Sequence, residues 1–226
     1  MSTGPKRKFA IGKLVVIVET LVTTIDRDGL HNLSPMGPHI ADPWPRWTDP
    51  SAVPCMTLRP FAGSQTHRNL TTVGEAVIHF CDDVELFAAS ATRPFRDEEV
   101  RQITVPVGSG DDNENPAGGI RRLKRCQQFF HVRCEVVSSD EVRPVLRCSV
   151  LSHGVVDPGG PLHRAAHAVI EAAILATRLH LIDSDDVTKQ LRHLAIIVDK
   201  TADRRTRAAF DSIVQFAGVR LETTTG

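Results

Sequence analysis

The chain has 226 residues, of which 41% are hydrophobic and 24% are charged, and its 27 basic residues balance its 27 acidic ones. This composition is ordinary for a folded globular protein, so it excludes a chain that is disordered throughout. Zero net charge argues against a nucleic-acid binder, because such proteins carry a basic excess that neutralises phosphates. The apolar stretch from Leu14 to Val18 is too short for a signal peptide or a membrane span. We therefore expect a cytoplasmic protein that contacts neither nucleic acid nor membrane.

The cysteines give no sign of a disulfide framework or a zinc site. There are five of them, an odd number, and no two form a CxxC pair. Most lie in apolar runs, which is typical of buried free thiols in a reducing compartment. The sequence also contains no Ser/His/Asp or Cys/His motif for nucleophilic catalysis. Cys81 precedes Asp82 and Asp83, whose negative charges disfavour a thiolate, so we interpret it as a core residue.

The N-terminal third predicts a β-hairpin followed by a long loop. Residues 14–25 are rich in β-branched side chains, and the following Asp26 to Gly29 is typical of a turn. The return strand begins at Leu30 and is expected to stop at Pro35, because proline cannot donate to a ladder. A loop rich in proline, with Trp44 and Trp47, then runs through residue 54 and is long enough to cover a site.

The middle of the chain predicts several short strands with turn-rich connections. Residues 55–58 and 76–80 are predicted strands, and residues 64–72 can form two helical turns that end at Gly74. Residues 130–136 and 146–150 alternate apolar and polar side chains, as half-buried strands do. Residues 108–119 are acidic and rich in Gly and Asn, and we interpret them as a mobile surface loop. This pattern favours a small antiparallel barrel.

The C-terminal part is predicted to be helical. Residues 162–182 contain neither glycine nor proline and predict a long helix. Ser184 or Asp185 can cap a second helix that runs to about Lys200, and residues 202–217 predict a third that ends at Gly218. We therefore expect an α+β protein with a barrel domain over residues 10–157 and a helical extension over residues 158–220, packed on the barrel.

The segment from Leu58 to Leu70 has the features of an anion site. A strand ends, a glycine permits close approach of the backbone, and Ser64 can cap the following helical turn, whose free N–H groups carry partial positive charge. Arg59 and Arg68 add full charges, and Ser64 and Thr66 add hydroxyls, a combination suited to a terminal phosphate. The alternative is a capped surface helix whose arginines are solvated.

The segment from Asp28 to Gly37 offers unused backbone groups. Its proline and glycines prevent a complete ladder, so N–H and C=O groups are left for a partner. A planar heterocycle with donors and acceptors along one edge would use them, although an ordinary hairpin and loop explains the same residues.

Together these segments resemble a known family. Thr23-Thr24, Asp28-Gly29, Asn32-x-Ser34-Pro35, Ser64-x-Thr66-x-x-Asn69-Leu70 and Gly74-Glu75-x-Val77 resemble the flavin reductase-like, FMN-binding split barrel of antiparallel, Greek-key strands. The run Arg59-Pro60-Phe61-x-Gly63-Ser64-x-Thr66-x-Arg68-Asn69-Leu70 is more closely similar to the family called domain of unknown function 447. So are Ala168-Val169-Ile170-Glu171-Ala172 and Ala176-Thr177-Arg178 in the long helix.

The resemblance spans roughly residues 14–216 and implies a homodimer with FMN at the subunit interface. It implies phosphate contacts from Ser64, Thr66, Arg68 and Asn69, and contacts to the ring from the backbone near Asn32, Ser34 and Met36. The loop with Trp44 and Trp47 and the insertion at residues 108–119 depart from the family's pattern, so the covering of the ring is left open.

Polar side chains form a stripe along the predicted long helix: Arg164, His167, Glu171 and Arg178. Their spacing puts them on one face, either as an ion-pair ladder or as a wall of the ligand site with a titratable His167 as the candidate catalytic group. His163, His167 and Glu171 also have a spacing that could ligate a metal. That reading lacks the glutamate of His-Glu-x-x-His and an evident fourth ligand, so we predict no metal site.

If FMN binds, hydride or electron transfer with an unknown small molecule is the leading function, because the cofactor carries that chemistry. The competing hypothesis is a dimer that binds flavin or a protein partner without catalysing a reaction.

Overall fold

A computed structural model describes residues 15–41, 55–108, 119–157 and 164–219. The loop with Trp44 and Trp47, all but the ends of the predicted loop at residues 108–119, and His163 lie outside these residues. The strands are β1 (Val15–Ile17), β2 (Thr20–Ile25), β3 (His31–Met36), β4 (His39–Ala41), β5 (Met56–Leu58), β6 (Glu75–Phe80), β7 (Thr104–Pro106), β8 (Arg121–Leu123), β9 (Gln128–Ser138) and β10 (Val145–Val155). The helices are α1 (Gln65–Thr72), α2 (Val84–Thr92), α3 (Asp97–Ile103), α4 (Arg164–Ala176), α5 (Ser184–Thr201) and α6 (Arg204–Phe216).

Eight strands form one antiparallel sheet in the order β1-β4-β5-β10-β9-β6-β2-β3. β1 and β3 are its two ends, yet β1 runs directly into β2 and β3 runs directly into β4. The Val18 amide donates to the Pro38 carbonyl at 3.4 Å in the joint between these pairs. Each end strand is thus followed in the chain by the strand that neighbours the opposite end. The two ends of the sheet must therefore lie close together, so the sheet curls back on itself. β7 and β8 form a separate two-stranded sheet.

The predicted first hairpin is confirmed, but its return strand does not stop at Pro35. β3 continues to Met36, and Pro35 pairs with Leu21 of β2. β3 is hydrogen-bonded to β2 alone within the described sheet, so the missing N–H of Pro35 leaves no neighbour unsatisfied. The long predicted first strand is also divided, because Val18 and Glu19 interrupt it between β1 and β2.

The interior of the curled sheet is apolar. Met56, Leu58, Ile78, Val132 and Leu146 are all fully buried there. Their strands match the sequence prediction, because alternation in β9 and β10 sends alternate side chains inward.

The C-terminal helices share a second core with α2. Val84 and Ala88 of α2 are buried together with Val169 of α4, Leu191 of α5 and Phe210 of α6. Neither α2 nor α3 was predicted from the sequence, because each helix is only a few turns long and strands flank the pair.

The long helix ends earlier than residue 182. α4 stops at Ala176, and the Arg178 amide donates to Leu175 and the Leu181 amide to Arg178, so the chain continues as turns. Arg178 therefore lies beyond the end of α4. The prediction of an α+β fold with helical C-terminal elements is confirmed. None of the helices in the described ranges has the length and hydrophobicity that crossing a membrane requires.

Candidate functional site

The corner between β5 and α1 is built around Gly63 and Ser64. Gly63 has φ of 75°, a conformation that favours glycine, and it turns the chain into the helix. Ser64 is the N-cap of α1, and its Oγ accepts from the His67 amide at 3.1 Å. The amides of Gln65 and Thr66 lie in the first turn, where a helix offers no acceptor, and they have no partner among the described residues. The predicted cap is confirmed, and these free donors are what an anion would use.

Thr66 links this corner to β3. Its hydroxyl accepts from Asn32 Nδ2 at 3.1 Å and shares a 2.7 Å hydrogen bond with Ser34 Oγ. Thr66 itself is only 4% exposed. The two segments singled out in the sequence are therefore in direct contact, although 32 and 34 positions separate the bonded pairs.

A cavity of about 280 Å³ opens beside this network. One wall is the β3–β4 joint, with Ser34, Met36 and Gly37. The corner supplies Arg59, Phe61, Ser64 and Thr66, and the helical side supplies Ile170, Ile174, Thr177 and Arg178. The cavity thus has an apolar side from α4 and a polar side from the barrel, as many cofactor sites do.

Positive charge dominates the polar side of the cavity. The Nε of Arg59 is buried and has no hydrogen-bond partner in the described part of the chain. A buried cationic donor without a partner destabilises the folded protein, so we expect a ligand to supply an acceptor for this atom. His39 lies in the same wall, and burial, Arg59 and Arg143 all lower the pKa of its imidazole. Glu19 is the acidic residue among those that line this cavity. Burial raises its pKa, Arg178 lowers it and Glu171 raises it.

Sequence reasoning missed Arg143, which also lines the cavity. It lies in the turn between β9 and β10, and its Nη1 donates to the Arg59 carbonyl at 3.2 Å. No local pattern marks this residue, since only the pairing of β10 with β5 brings the turn to the corner. Glu19 and His39 were missed for the same reason.

Two residues that were predicted to contact the phosphate are hydrogen-bonded to other groups of the protein. Arg68 is exposed, and its guanidinium donates to the Gly63 carbonyl and, at 2.7 Å, to Gln65 Oε1. Asn69 is 1% exposed; its Nδ2 donates to Thr24 Oγ1 at 3.0 Å and its Oδ1 accepts from Gln65 at 2.7 Å. Neither residue is part of the cavity lining. Because Thr24 lies in β2, the bond from Asn69 holds α1 against that strand. Their contact with a phosphate stays a prediction.

The predicted stripe on α4 is divided by the structure. Arg178 lines the cavity, whereas Arg164, His167 and Glu171 are exposed and outside its lining. Glu171 is still close enough to act on the pKa of Glu19. Within the described ranges, no group of three metal-binding side chains comes together. The catalytic assignment of His167 stays a prediction.

A second cavity, of about 220 Å³, lies between the start of α2 and α6. Arg205 at its rim is already paired with Glu85 at 2.6 Å. Its lining mixes both signs of charge, with Asp82, Asp83 and Arg125 among the members. The cavity near Arg59 is the better candidate site because its buried positive charge lacks a counterpart.

Family comparison divides the chain into two matched regions. Residues 18–157 match the model described as protein of unknown function (DUF447) N-terminal domain, and residues 163–215 match the one described as protein of unknown function (DUF447). The chain belongs to the DUF447 family. The family resemblance seen in the motifs is therefore confirmed. No functionally curated protein matches this DUF447 chain at a significant level.

The chain is similar to several solved structures, of which one supports the fold assignment. An FMN-bound DUF447 protein from Methanosarcina mazei has a TM-score of 0.69 with 19% identity, over 92% of this chain and 98% of that one. An FMN-binding protein from Thermus thermophilus gives 0.42 with 13% identity, over 69% and 79% of the two chains. A Shewanella frigidimarina protein with a split barrel domain gives 0.44 with 17% identity, over 62% and 67%. The first likeness and the sheet topology confirm the split-barrel fold predicted for this DUF447 chain.

Proposed function

We propose that this protein binds FMN in the cavity beside the β5–α1 corner and uses it in hydride or electron transfer with a small molecule. The observation that carries the proposal is the buried, unpartnered Nε of Arg59 beside the free first-turn amides of α1. Together they offer a cationic donor and neutral donors to one dianionic group. The FMN bound to the Methanosarcina mazei relative supports the choice of ligand.

The residues present fit each part of FMN. Arg59, Ser64 and Thr66 would hold the phosphate, and the phosphate contacts of Arg68 and Asn69 stay predictions. The backbone near Asn32, Ser34 and Met36 would meet the ring edge. Ile170 and Ile174 of α4 would exclude water from the ring, because both lie on the apolar side of the cavity. The Asn32 side chain is bound to Thr66 and its backbone is paired with Thr24 of β2, so its contact with the ring stays a prediction.

Bound FMN supplies a ring that takes up and releases hydride or single electrons. The chain's own task is then to orient the ring and to supply or remove a proton. Glu19 and His39 line the cavity and can titrate, so they join His167 as candidates for proton transfer. We also propose the homodimer implied by the resemblance, with FMN near the contact between chains.

Reconstitution with FMN tests the binding proposal. We expect purified protein to bind FMN stoichiometrically, measured by quenching of flavin fluorescence. Arg59→Gln should weaken FMN binding by about tenfold or more, because it removes one charge-assisted bond to the phosphate. Arg192→Gln is the matched control, since Arg192 is exposed on α5 and is not part of the cavity lining. Equal FMN affinity in the Arg59 variant and wild type would refute the phosphate assignment.

A second experiment separates an oxidoreductase from a passive flavin binder. NADH or NADPH is added anaerobically to the FMN-loaded protein, and the flavin absorbance is followed. Bleaching supports an enzyme, and persistent colour with both reductants supports a non-catalytic flavin-binding dimer. Light scattering on the same sample tests the dimer, and a monomer that keeps FMN would contradict the interface proposal.

A further inference from the structure

Two guanidinium groups reach the cavity from distant parts of the chain. Arg143 extends from the turn between β9 and β10, and Arg178 lies in the turns that follow α4. Arg143 is fixed by partners that leave its charge intact: it lies over the Phe61 ring, 3.4 Å from the centroid, and donates to the Arg59 carbonyl at 3.2 Å. The structure therefore holds Arg143 in place without neutralising it.

No acid in the described residues balances this pair. Neither Arg143 nor Arg178 has a carboxylate within ion-pairing distance there. Burial lowers the pKa of Arg143, and the positive charges of Arg178 and then Arg59 lower it further. Like charges therefore lie close enough in the cavity wall to repel each other. Glu19 lines the same cavity; burial raises its pKa and Arg178 lowers it, but a single carboxylate cannot balance two guanidinium groups.

The proposed phosphate position does not account for the charges of Arg143 and Arg178. A phosphate monoester carries about −1.5 to −2 charges. Arg59 and the start of α1 already face the proposed phosphate position with a full positive charge and a partial one. Arg143 and Arg178 add two more full charges to the same cavity, beyond what that single phosphate requires.

We propose that Arg143 and Arg178 form a clamp for the anionic group of a substrate, a carboxylate or a phosphate, bound beside FMN. The inference rests on the proposed function and deepens it by giving the substrate class. Arginine suits the task because its planar fork of donors matches both carboxylate and phosphate oxygens. An anion between the two guanidiniums would remove their mutual repulsion and gain hydrogen bonds from both.

Anion binding to the FMN-loaded protein tests the clamp. Inorganic phosphate and succinate are titrated separately into protein saturated with FMN, so that the cofactor phosphate position is already filled. Binding is followed by calorimetry and by the change in flavin absorbance. We expect saturable binding of at least one probe, and the tighter probe identifies phosphate or carboxylate as the recognised group.

Arg143→Gln and Arg178→Gln should each weaken probe binding by about tenfold, while FMN affinity changes by less than about threefold. Arg192→Gln should leave both affinities unchanged. Arg178 is exposed, so its variant keeps the fold even if Arg143→Gln does not, and thermal melting checks both.

Three results would overturn the clamp: no saturable binding of either probe to wild type, unchanged probe binding in both variants, or a loss of FMN affinity in both. The last would assign these arginines to the cofactor and leave the proposed function standing. If wild type takes up no FMN, the proposed function fails. The same titrations on the FMN-free protein then decide the clamp, which requires weaker probe binding in both arginine variants.

Discussion

The guanidinium carbon of Arg143 lies 3.4 Å from the centre of the Phe61 ring. Phe61 belongs to the corner before α1, and Arg143 belongs to the β9–β10 turn. The Ala62 amide also donates to the Val142 carbonyl at 3.0 Å, so backbone and side chains join the same two segments. The corner is thereby held in register with the turn, and the Arg143 charge is kept at the cavity wall.

Phe61→Leu should release Arg143 from this position. A cation–π contact contributes about 0.5–2 kcal/mol, so we expect anion probes to bind the FMN-loaded variant at least about twofold more weakly. The control is Phe95→Leu, which removes a similar contact with Arg93, 4.4 Å from the Phe95 ring and outside the cavity. Calorimetric titration checks both variants. Equal probe affinity in Phe61→Leu and wild type would show that the ring does not position Arg143.

Thr66→Val should damage the site and the fold together. It leaves Asn32 Nδ2 and Ser34 Oγ without their partner, in a place where Thr66 is 4% exposed. We expect a loss of about 1–3 kcal/mol in the free energy of unfolding and at least tenfold weaker FMN binding. Urea unfolding and flavin fluorescence measure these quantities.

Thr71→Val is the control for this variant. Thr71 lies on the same helix but is exposed, and its hydroxyl bonds only to carbonyls of its own helix. It should change neither FMN affinity nor stability by a comparable amount. If Thr66→Val behaves like Thr71→Val, the link between β3 and α1 does not organise the site.

Local signals predicted part of this site, and long-range packing determined the rest. Ser64 and Gly74 were placed correctly, because a helix cap and a positive-φ glycine depend on a few neighbouring residues. The predicted strand end at Pro35 was wrong, since the effect of a proline depends on which edge of the strand is paired with another strand. Arg143 could not be found at all, because its place follows from the pairing of strands far apart in sequence.

His79 should make stability depend on pH between about 4 and 6.5. It is fully buried, accepts from the Leu123 amide at 3.0 Å and bonds to the Leu21 carbonyl at 2.9 Å. Burial lowers its pKa from 6.5 to about 4, although the bond to Leu21 opposes the shift. The unfolded chain therefore takes up a proton as pH falls below 6.5, while the folded one does so only near 4. The His79 contribution is complete above pH 6.5 and is lost progressively below it.

Urea unfolding at two pH values measures this effect. The shift predicts that His79 costs wild type about 2 kcal/mol of unfolding free energy between pH 7.5 and pH 5. His79→Gln removes the titrating group, so its stability should fall less over the same interval, even though its absolute stability is lower. The same pH dependence in both proteins would show that His79 is not the group that makes stability depend on pH in this range.

Asp97 ties α3 to the first hairpin. It accepts from the His31 amide at 2.7 Å, His31 Nδ1 at 2.8 Å and Arg101 Nε at 2.5 Å. Although burial raises its pKa, the bonds from Arg101 and His31 lower it to about 2. Its stabilising contribution is therefore present above pH 3.8 and is lost as pH falls toward 2.

Asp97→Asn should cost about 2 kcal/mol of unfolding free energy at pH 7, because it removes the charge that these donors share. Asp186→Asn is the control, since Asp186 is exposed and, among the described residues, pairs only with Lys189 at 3.3 Å. Chemical denaturation compares the two. A loss no greater than that of the control would mean that the hairpin and α3 stay together without this carboxylate.

The core that α2 shares with α4, α5 and α6 limits how this chain can be cut or recombined. Val84 and Ala88 come from the N-terminal matched region, but they are buried against residues of the C-terminal one. A chimera that took residues 163–215 from a distant homologue would have to import a compatible α2 as well. The side chains of the two regions must therefore fit each other at this core, and a fragment ending at residue 157 would expose the apolar face of α2 to water.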